Sequence, residues 1–373
     1  MFDEYLFRDK LDSPVPITGS EGSYLKAGPI KFLDFIMGWC VGNAGWNKKE
    51  INRAVREFKG PNYVIPRATY LPWDALAKRL AKLTPGKLQK SFRATGGTEA
   101  VELAMKISRA FNRREKFMAF DGAYHGQSFS CLSLVGTHEE KFGPYPPTIR
   151  LTVDDWEATT EKAVKEIKTE TISAFISEPI ICNLGVVLPP QSFFDAVQEA
   201  CKETNTVFIM DEVATGFGRT GKWFATEHYN LSPDVMTVAK GFSSGYAGIG
   251  AAIATPEVAE TMRFEFSNYS TFGWLPVSVE ATLANINYIE KNNLVQRSAE
   301  SGDYLMKQLS EFCEPSGKGL CIGFGVKNKQ IWDKCLGDRL ITSVMDSRMV
   351  LYPALDVTKE QMDHAVGIIK KHY

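Results

Sequence analysis

The sequence has almost no excess of charge: 43 lysines and arginines face 44 aspartates and glutamates, a formal net charge of −1 across 373 residues. That balance offers no electrostatic case for nucleic acid or anionic lipid as a partner. Nor does any uncharged apolar run approach the ~20 residues that a membrane helix needs. The first ten residues are mixed in charge and lack a basic-then-apolar leader pattern. The seven cysteines are odd in number, scattered and without a C-x-x-C pair. This argues against a zinc knuckle and a disulfide framework, fits a reducing compartment, and gives no cluster of metal ligands. Internal repeats and low-complexity tracts are missing as well. The expectation is a soluble cytoplasmic protein with no metal, no nucleic acid and no membrane among its partners.

What is present is ample core material, 44% apolar and 12% aromatic residues. Pro14, Pro16 and several glycines, then the apolar run Phe32–Met37, read as an arm with one or two short strands. Helical spacing follows at 48–59 and at 74–83, the second stopped by Thr84-Pro85-Gly86. Helices then alternate with short apolar runs at 116–120, 148–153, 172–178, 206–211, 235–240 and 249–255. Runs of this length, apolar on both faces, predict a mainly parallel sheet covered on both sides, the α/β class. A helix from Pro276 to about Tyr288 should leave that domain. Strand candidates at 319–326 and 349–353 and a closing helix at 359–371 read as a small α+β unit. The expected division is an arm over 1–45 that joins the small domain, a large domain over 46–275 and a small domain over 276–373.

Two of these runs end in groups with chemistry. Thr206–Met210 ends in Asp211, and Val235–Ala239 ends in Lys240, which opens the small-residue stretch Gly241-Phe242-Ser243-Ser244-Gly245. An exposed lysine amine is protonated at neutral pH; desolvation or a nearby cation can make it a Schiff-base nucleophile. An acid and an amine at two strand ends together describe a pyridoxal 5'-phosphate (PLP) site, the lysine holding the aldehyde and the acid keeping the pyridine nitrogen protonated. Thr95-Gly96-Gly97-Thr98-Glu99-Ala100 precedes a helix, so its backbone N–H groups and the Thr98 hydroxyl could take the phosphate. The same residues could equally be a glycine-rich turn with a threonine cap. Gly216-Phe-Gly218-Arg-Thr-Gly221 matches the dinucleotide fingerprint literally. However, Asp211 to Thr215 separate it from the strand end, and a loop beside the PLP site is the better reading.

The stretch Asp211-Glu-Val-Ala-Thr-Gly-Phe-Gly-Arg-Thr-Gly221, then Pro233-Asp234, then Ala239-Lys240-Gly241, resembles the signature of the class III aminotransferases, the ornithine, 4-aminobutyrate and ω-amino acid type. The resemblance runs from about Phe35 to about Thr358. It implies PLP fold type I, with a mainly parallel seven-stranded sheet in the large domain and a small α+β C-terminal domain. It also implies ping-pong transfer of an amino group from a donor to a keto acid through a Lys240–PLP Schiff base. In Phe120–Gly126 it assigns Tyr124 to one ring face beside His125; Val213 would cover the other, and Glu178 would sit near the reactive edge. Thr271, in Ser270-Thr-Phe-Gly273, would bind the phosphate of the neighbouring subunit, so that a homodimer shares its sites.

The chain departs from the family pattern in ways that bear on substrate. Gly96 stands where serine is common, and Gly273-Trp274-Leu275-Pro276 replaces a smaller sequence, which would put Trp274 near the pocket, with Trp39. Val350 stands where many relatives have the arginine that binds a substrate carboxylate. Arg348, on the same strand face by alternation, and Arg67 are the remaining candidates for the acceptor carboxylate. Ser243-Ser-Gly-Tyr246 is similar to a run in ω-transaminases, which favours a terminal amine. An aminomutase resembling the glutamate-1-semialdehyde enzyme is the alternative; a nicotinamide dehydrogenase and a non-catalytic binding protein are remoter.

Overall fold

The computed structural model describes residues 15–65, 67–136, 143–263 and 268–373. Its centre is a seven-stranded sheet in the order Lys90–Ala94, Gly250–Ala254, Val235–Val238, Val207–Asp211, Ile172–Ser177, Lys116–Phe120, Thr148–Leu151. Gly250–Ala254 runs antiparallel to both its neighbours, and the other pairings are parallel. This is the α/β fold expected. The central strands carry no polar face because both faces are covered: every residue of Ile172–Ser177 and Val207–Asp211 is buried. The helix Gly97–Asn112 packs Ala100, Ala104 and Ile107 on one face. On the other face, the helices Trp156–Ile167 and Gln191–Thr204 enclose a phenylalanine cluster in which Phe175 and Phe208 stack 5.8 Å apart.

Two four-stranded sheets flank this layer. In one, Gly19–Glu21, Tyr24–Ala27 and Ile30–Asp34 form an antiparallel meander, and Leu340–Ile341 pairs in parallel with Ile30–Asp34. The described part of the arm thus holds three strands where one or two were expected, and it hydrogen-bonds to a segment more than 300 residues away. The other sheet is the antiparallel set Ser316–Lys318, Cys321–Gly325, Arg348–Leu351, Ser343–Met345. The helix beginning at Pro276 extends to Lys291, and a further helix, Leu294–Leu309, was not anticipated. None of the described helices is long and apolar enough to cross a membrane.

Candidate active site

Parallel strands deliver their last residues to one edge of the sheet, and ligands of open α/β sheets bind outside that carboxyl edge. Four adjacent strands here end in chemistry. Val207–Asp211 presents Asp211, Val235–Val238 leads through Ala239 to Lys240, Ile172–Ser177 leads to Glu178, and Lys116–Phe120 leads to the turn holding Tyr124 and His125. Asp211 pairs in register with Thr237 on the neighbouring strand. The result is a cavity of about 440 Å³ lined by Lys240, Asp211, Glu178, Tyr124, Val213 and Trp39, together with residues considered below.

Asp211 is the best-anchored of these groups. Its Oδ1 accepts from the Thr237 hydroxyl at 2.8 Å and from the Val213 N–H at 3.1 Å, and its Oδ2 lies 2.7 Å from His125 Nδ1. Burial works to lower the His125 pKa, but the hydrogen bond and charge of Asp211 outweigh it and hold it above the ordinary histidine range. Glu178 is only half satisfied. Its Oε2 accepts from the Cys182 N–H at 3.1 Å, while its Oε1 is buried without a partner. Burial pushes its pKa up to about 7, against the pull of His125.

Lys240 has φ +45°, and Met37, Gly38, Trp39 and Cys40 form a consecutive left-handed run with φ from 47° to 66°. The left-handed region costs roughly 1–2 kcal/mol for each residue with a Cβ, and such strain persists where surrounding structure imposes it. Trp39 and Cys40 both line the cavity.

These residues fit the cofactor the strand ends suggest. A carboxyl group held by three contacts stands in the same cavity as the lysine amine. The unpartnered Glu178 Oε1 calls for a donor from an occupant. At the cavity's edge, a Cβ on Gly97 would fall 3.0 Å from Val213 Cγ1, and one on Gly126 (φ +124°) 2.7 Å from Thr98 Oγ1. Only glycine permits this approach of the helix N-terminus to the ring-facing residues. Gly97 and Thr98 open onto an adjoining cleft that Thr271 of the same chain also lines. Thr271 is exposed there, and it does not line the cavity that holds Lys240.

Three expectations about substrate residues need correction. Trp274 does not line the cavity; it is fully buried in the core, and its indole N–H donates to the Gly250 carbonyl at 2.7 Å. Arg348 does share a strand with Val350, but its guanidinium is committed elsewhere. Nε donates to the Gly185 carbonyl at 2.7 Å, and Nη2 donates to Ser316 Oγ at 2.6 Å and the Gly323 carbonyl at 3.0 Å. Arg67 lies on an exposed turn and is not part of the cavity wall. Among the described residues, the cavity lining includes one cation, Lys240. Sequence reasoning missed Cys40, Cys182, Asn183, Met345 and Tyr352, which complete a largely apolar wall. Tyr352 lies in the segment compared with the family's arginine motif, and that was the only available signal. Gly216–Gly221 forms turns beyond Asp211, and its Arg219 is buried, bonding Asn43 Oδ1 at 2.8 Å and the Leu320 carbonyl at 3.1 Å. It is a structural tie, and no strand-to-helix phosphate turn exists there.

A model of the aminotransferase class-III family matches residues 7–372. The acetylornithine aminotransferase of Archaeoglobus fulgidus is 34% identical over 361 residues, covering 95% of this chain and 94% of that protein. Among solved structures, an (S)-enantioselective ω-transaminase from Thermomicrobium roseum superposes with a TM-score of 0.89 at 29% identity, over 97% of this chain and 92% of the other. A Bacillus anthracis aminotransferase gives 0.89 at 26% identity, over 100% and 96%.

Proposed function

We propose, from the premise that this chain belongs to the class-III aminotransferase family and is therefore a PLP-dependent aminotransferase of fold type I, that its donor is a terminal primary amine or ω-amino compound. A keto acid is the acceptor. The observation that carries the donor class is the cavity wall: Lys240 is its one cation among the described residues, and Arg348, outside that wall, spends its Nε and Nη2 donors on Gly185, Ser316 and Gly323. An α-carboxylate brought into such a site would be desolvated without a partner, at a cost of several kcal/mol. The names of the relatives, an acetylornithine aminotransferase and an ω-transaminase, agree with this reading. They give no support to the aminomutase.

When bound, PLP supplies an aldehyde for the donor amine and a ring that spreads the electrons left by a broken C–H bond. The chain supplies the rest. Lys240 Nζ would hold the cofactor and, when free, would be the base that carries the donor proton. Asp211, held by Thr237, Val213 and His125, would accept the hydrogen bond of the pyridine N–H. Tyr124 and Val213 confine the ring from its two sides, and Gly97 and Thr98 receive the phosphate at the helix N-terminus. Glu178, which titrates near neutrality, meets the cofactor's polar edge through Oε1.

The assembly we propose is a homodimer in which Thr271 reaches the partner's phosphate; its exposure beside the Thr98 cleft supports this. The proposed division is 1–45, 46–275 and 276–373, supported by the pairing of Ile30–Asp34 with Leu340–Ile341, and the proposed location is the cytoplasm. Steady-state kinetics with donor pairs that differ only in an α-carboxylate test the donor class. Each decarboxylated member should have the higher kcat/KM, and the opposite order across the set would refute the proposal.

A further inference from the structure

The left-handed turn Met37–Cys40 is closed by the Val41 and Gly42 N–H groups, which both donate to the Met37 carbonyl at 2.9 Å. Only Gly38 suits this conformation; methionine, tryptophan and cysteine do not favour it, and none has the short polar side chain that makes asparagine tolerant. Something outside the turn therefore imposes it. The Asp34 carboxylate lies directly beneath. Its Oδ1 accepts from the Ile36 N–H at 2.9 Å and the Met37 N–H at 2.7 Å, and its Oδ2 accepts from Trp46 Nε1 at 3.3 Å. The Trp46 ring is wedged where a Cβ on Gly42 would fall 2.8 Å from it, and its other side faces Gly245, in the loop that follows Lys240. Asp34 is itself buried, and the turn it fixes carries Trp39, 43% exposed at the rim of the cavity, and Cys40, buried in its wall.

We propose that Asp34 is a positioning residue for substrate selection: by imposing the left-handed turn it holds the Trp39 indole at the cavity rim and sets the upper size of the amine donor. The inference rests on the reading of the cavity as the donor site. A turn released from Asp34 relaxes toward right-handed backbone, which re-aims both Trp39 and Cys40 and opens the rim.

Two measurements on the PLP-loaded enzyme test this. Thermal unfolding of Trp39→Gly and Trp39→Ala compares two variants that both lack the indole and differ by one Cβ at φ +61°. In an ordinary helical turn alanine is the more stable; here Trp39→Gly should unfold at the higher temperature, by about 2 °C. Donor kinetics on Asp34→Ala should then raise kcat/KM for a bulky terminal amine relative to a small one by about 10-fold, the scale at which pocket size discriminates. Asp34→Asn, which keeps an oxygen for the Ile36 and Met37 N–H groups but loses the acceptor for the Trp46 indole N–H, should shift the ratio in the same direction by less than Asp34→Ala. If Asp34→Ala does not fold, Trp46→Phe, which removes the indole N–H from Oδ2, should move the ratio in the same direction. Trp39→Ala at least as stable as Trp39→Gly, or a bulky-to-small ratio unchanged in Asp34→Ala or its substitute, overturns the inference alone. Wild-type enzyme inert to every terminal amine overturns the functional reading and this inference with it.

Discussion

Replacing Glu178 with glutamine should change how stability depends on pH. The carboxyl is buried, one oxygen accepts from the Cys182 N–H at 3.1 Å, and the other has no partner. Burial lifts its pKa from 4.5 to about 7. The unfolded chain therefore releases this proton near 4.5, while the folded chain holds it to about 7. Between these values the folded state binds the additional proton, so stability falls as pH rises through the window and stays lower above it. At ~1.4 kcal/mol for each tenfold change, the carboxyl accounts for about 3 kcal/mol of lost stability. Glutamine has no proton to lose and keeps an oxygen for the Cys182 N–H. Urea unfolding of cofactor-free protein, near pH 5 and near pH 8, measures the difference. The wild type should lose about 3 kcal/mol more than Glu178→Gln on going to the higher pH. Stability curves that run parallel would show that Glu178 titrates normally and that its enclosure is wrong.

Lys240→Ala should abolish transamination while PLP still binds noncovalently, a result read from activity and from a cofactor absorbance that borohydride cannot fix to the chain. Trp274→Ala should lower stability by about 3–5 kcal/mol, as expected for an aromatic core deletion, without changing which donors are preferred; altered preference at unchanged stability would return Trp274 to the pocket. Arg348→Ala should leave KM for the keto acid unchanged while lowering stability, because its three hydrogen bonds join the Gly185 turn to the C-terminal sheet.

The sheet was legible because its strands are short apolar runs whose boundaries are local properties. Asp211, Glu178 and Lys240 could be placed at one edge because each directly follows such a run and parallel strands end together. Features set by contacts distant in sequence were not legible. Trp274 sits beside Thr271 in the chain, yet its indole finds the Gly250 carbonyl and the core, a partner that no local pattern announces. Alternation correctly put Arg348 on the face of Val350, but it could not show that Gly185 and Gly323 bring their carbonyls within reach. The left-handed turn at Met37–Cys40 was invisible for a sharper reason: its residues disfavour that conformation, and only Asp34 and Trp46 reveal why it forms.

On the proposed reading, Lys240, Asp211 and a largely apolar wall with no second cation among the described residues make a site for terminal amines. Its most direct test is the donor half-reaction alone, with PLP-loaded enzyme mixed with a terminal amine or with alanine in the absence of any keto acid, so that recognition of the acceptor carboxylate cannot intervene. The account predicts that the cofactor absorbance converts faster, per unit concentration, with the terminal amine, and that Lys240→Ala converts with neither. Faster conversion by alanine would contradict it.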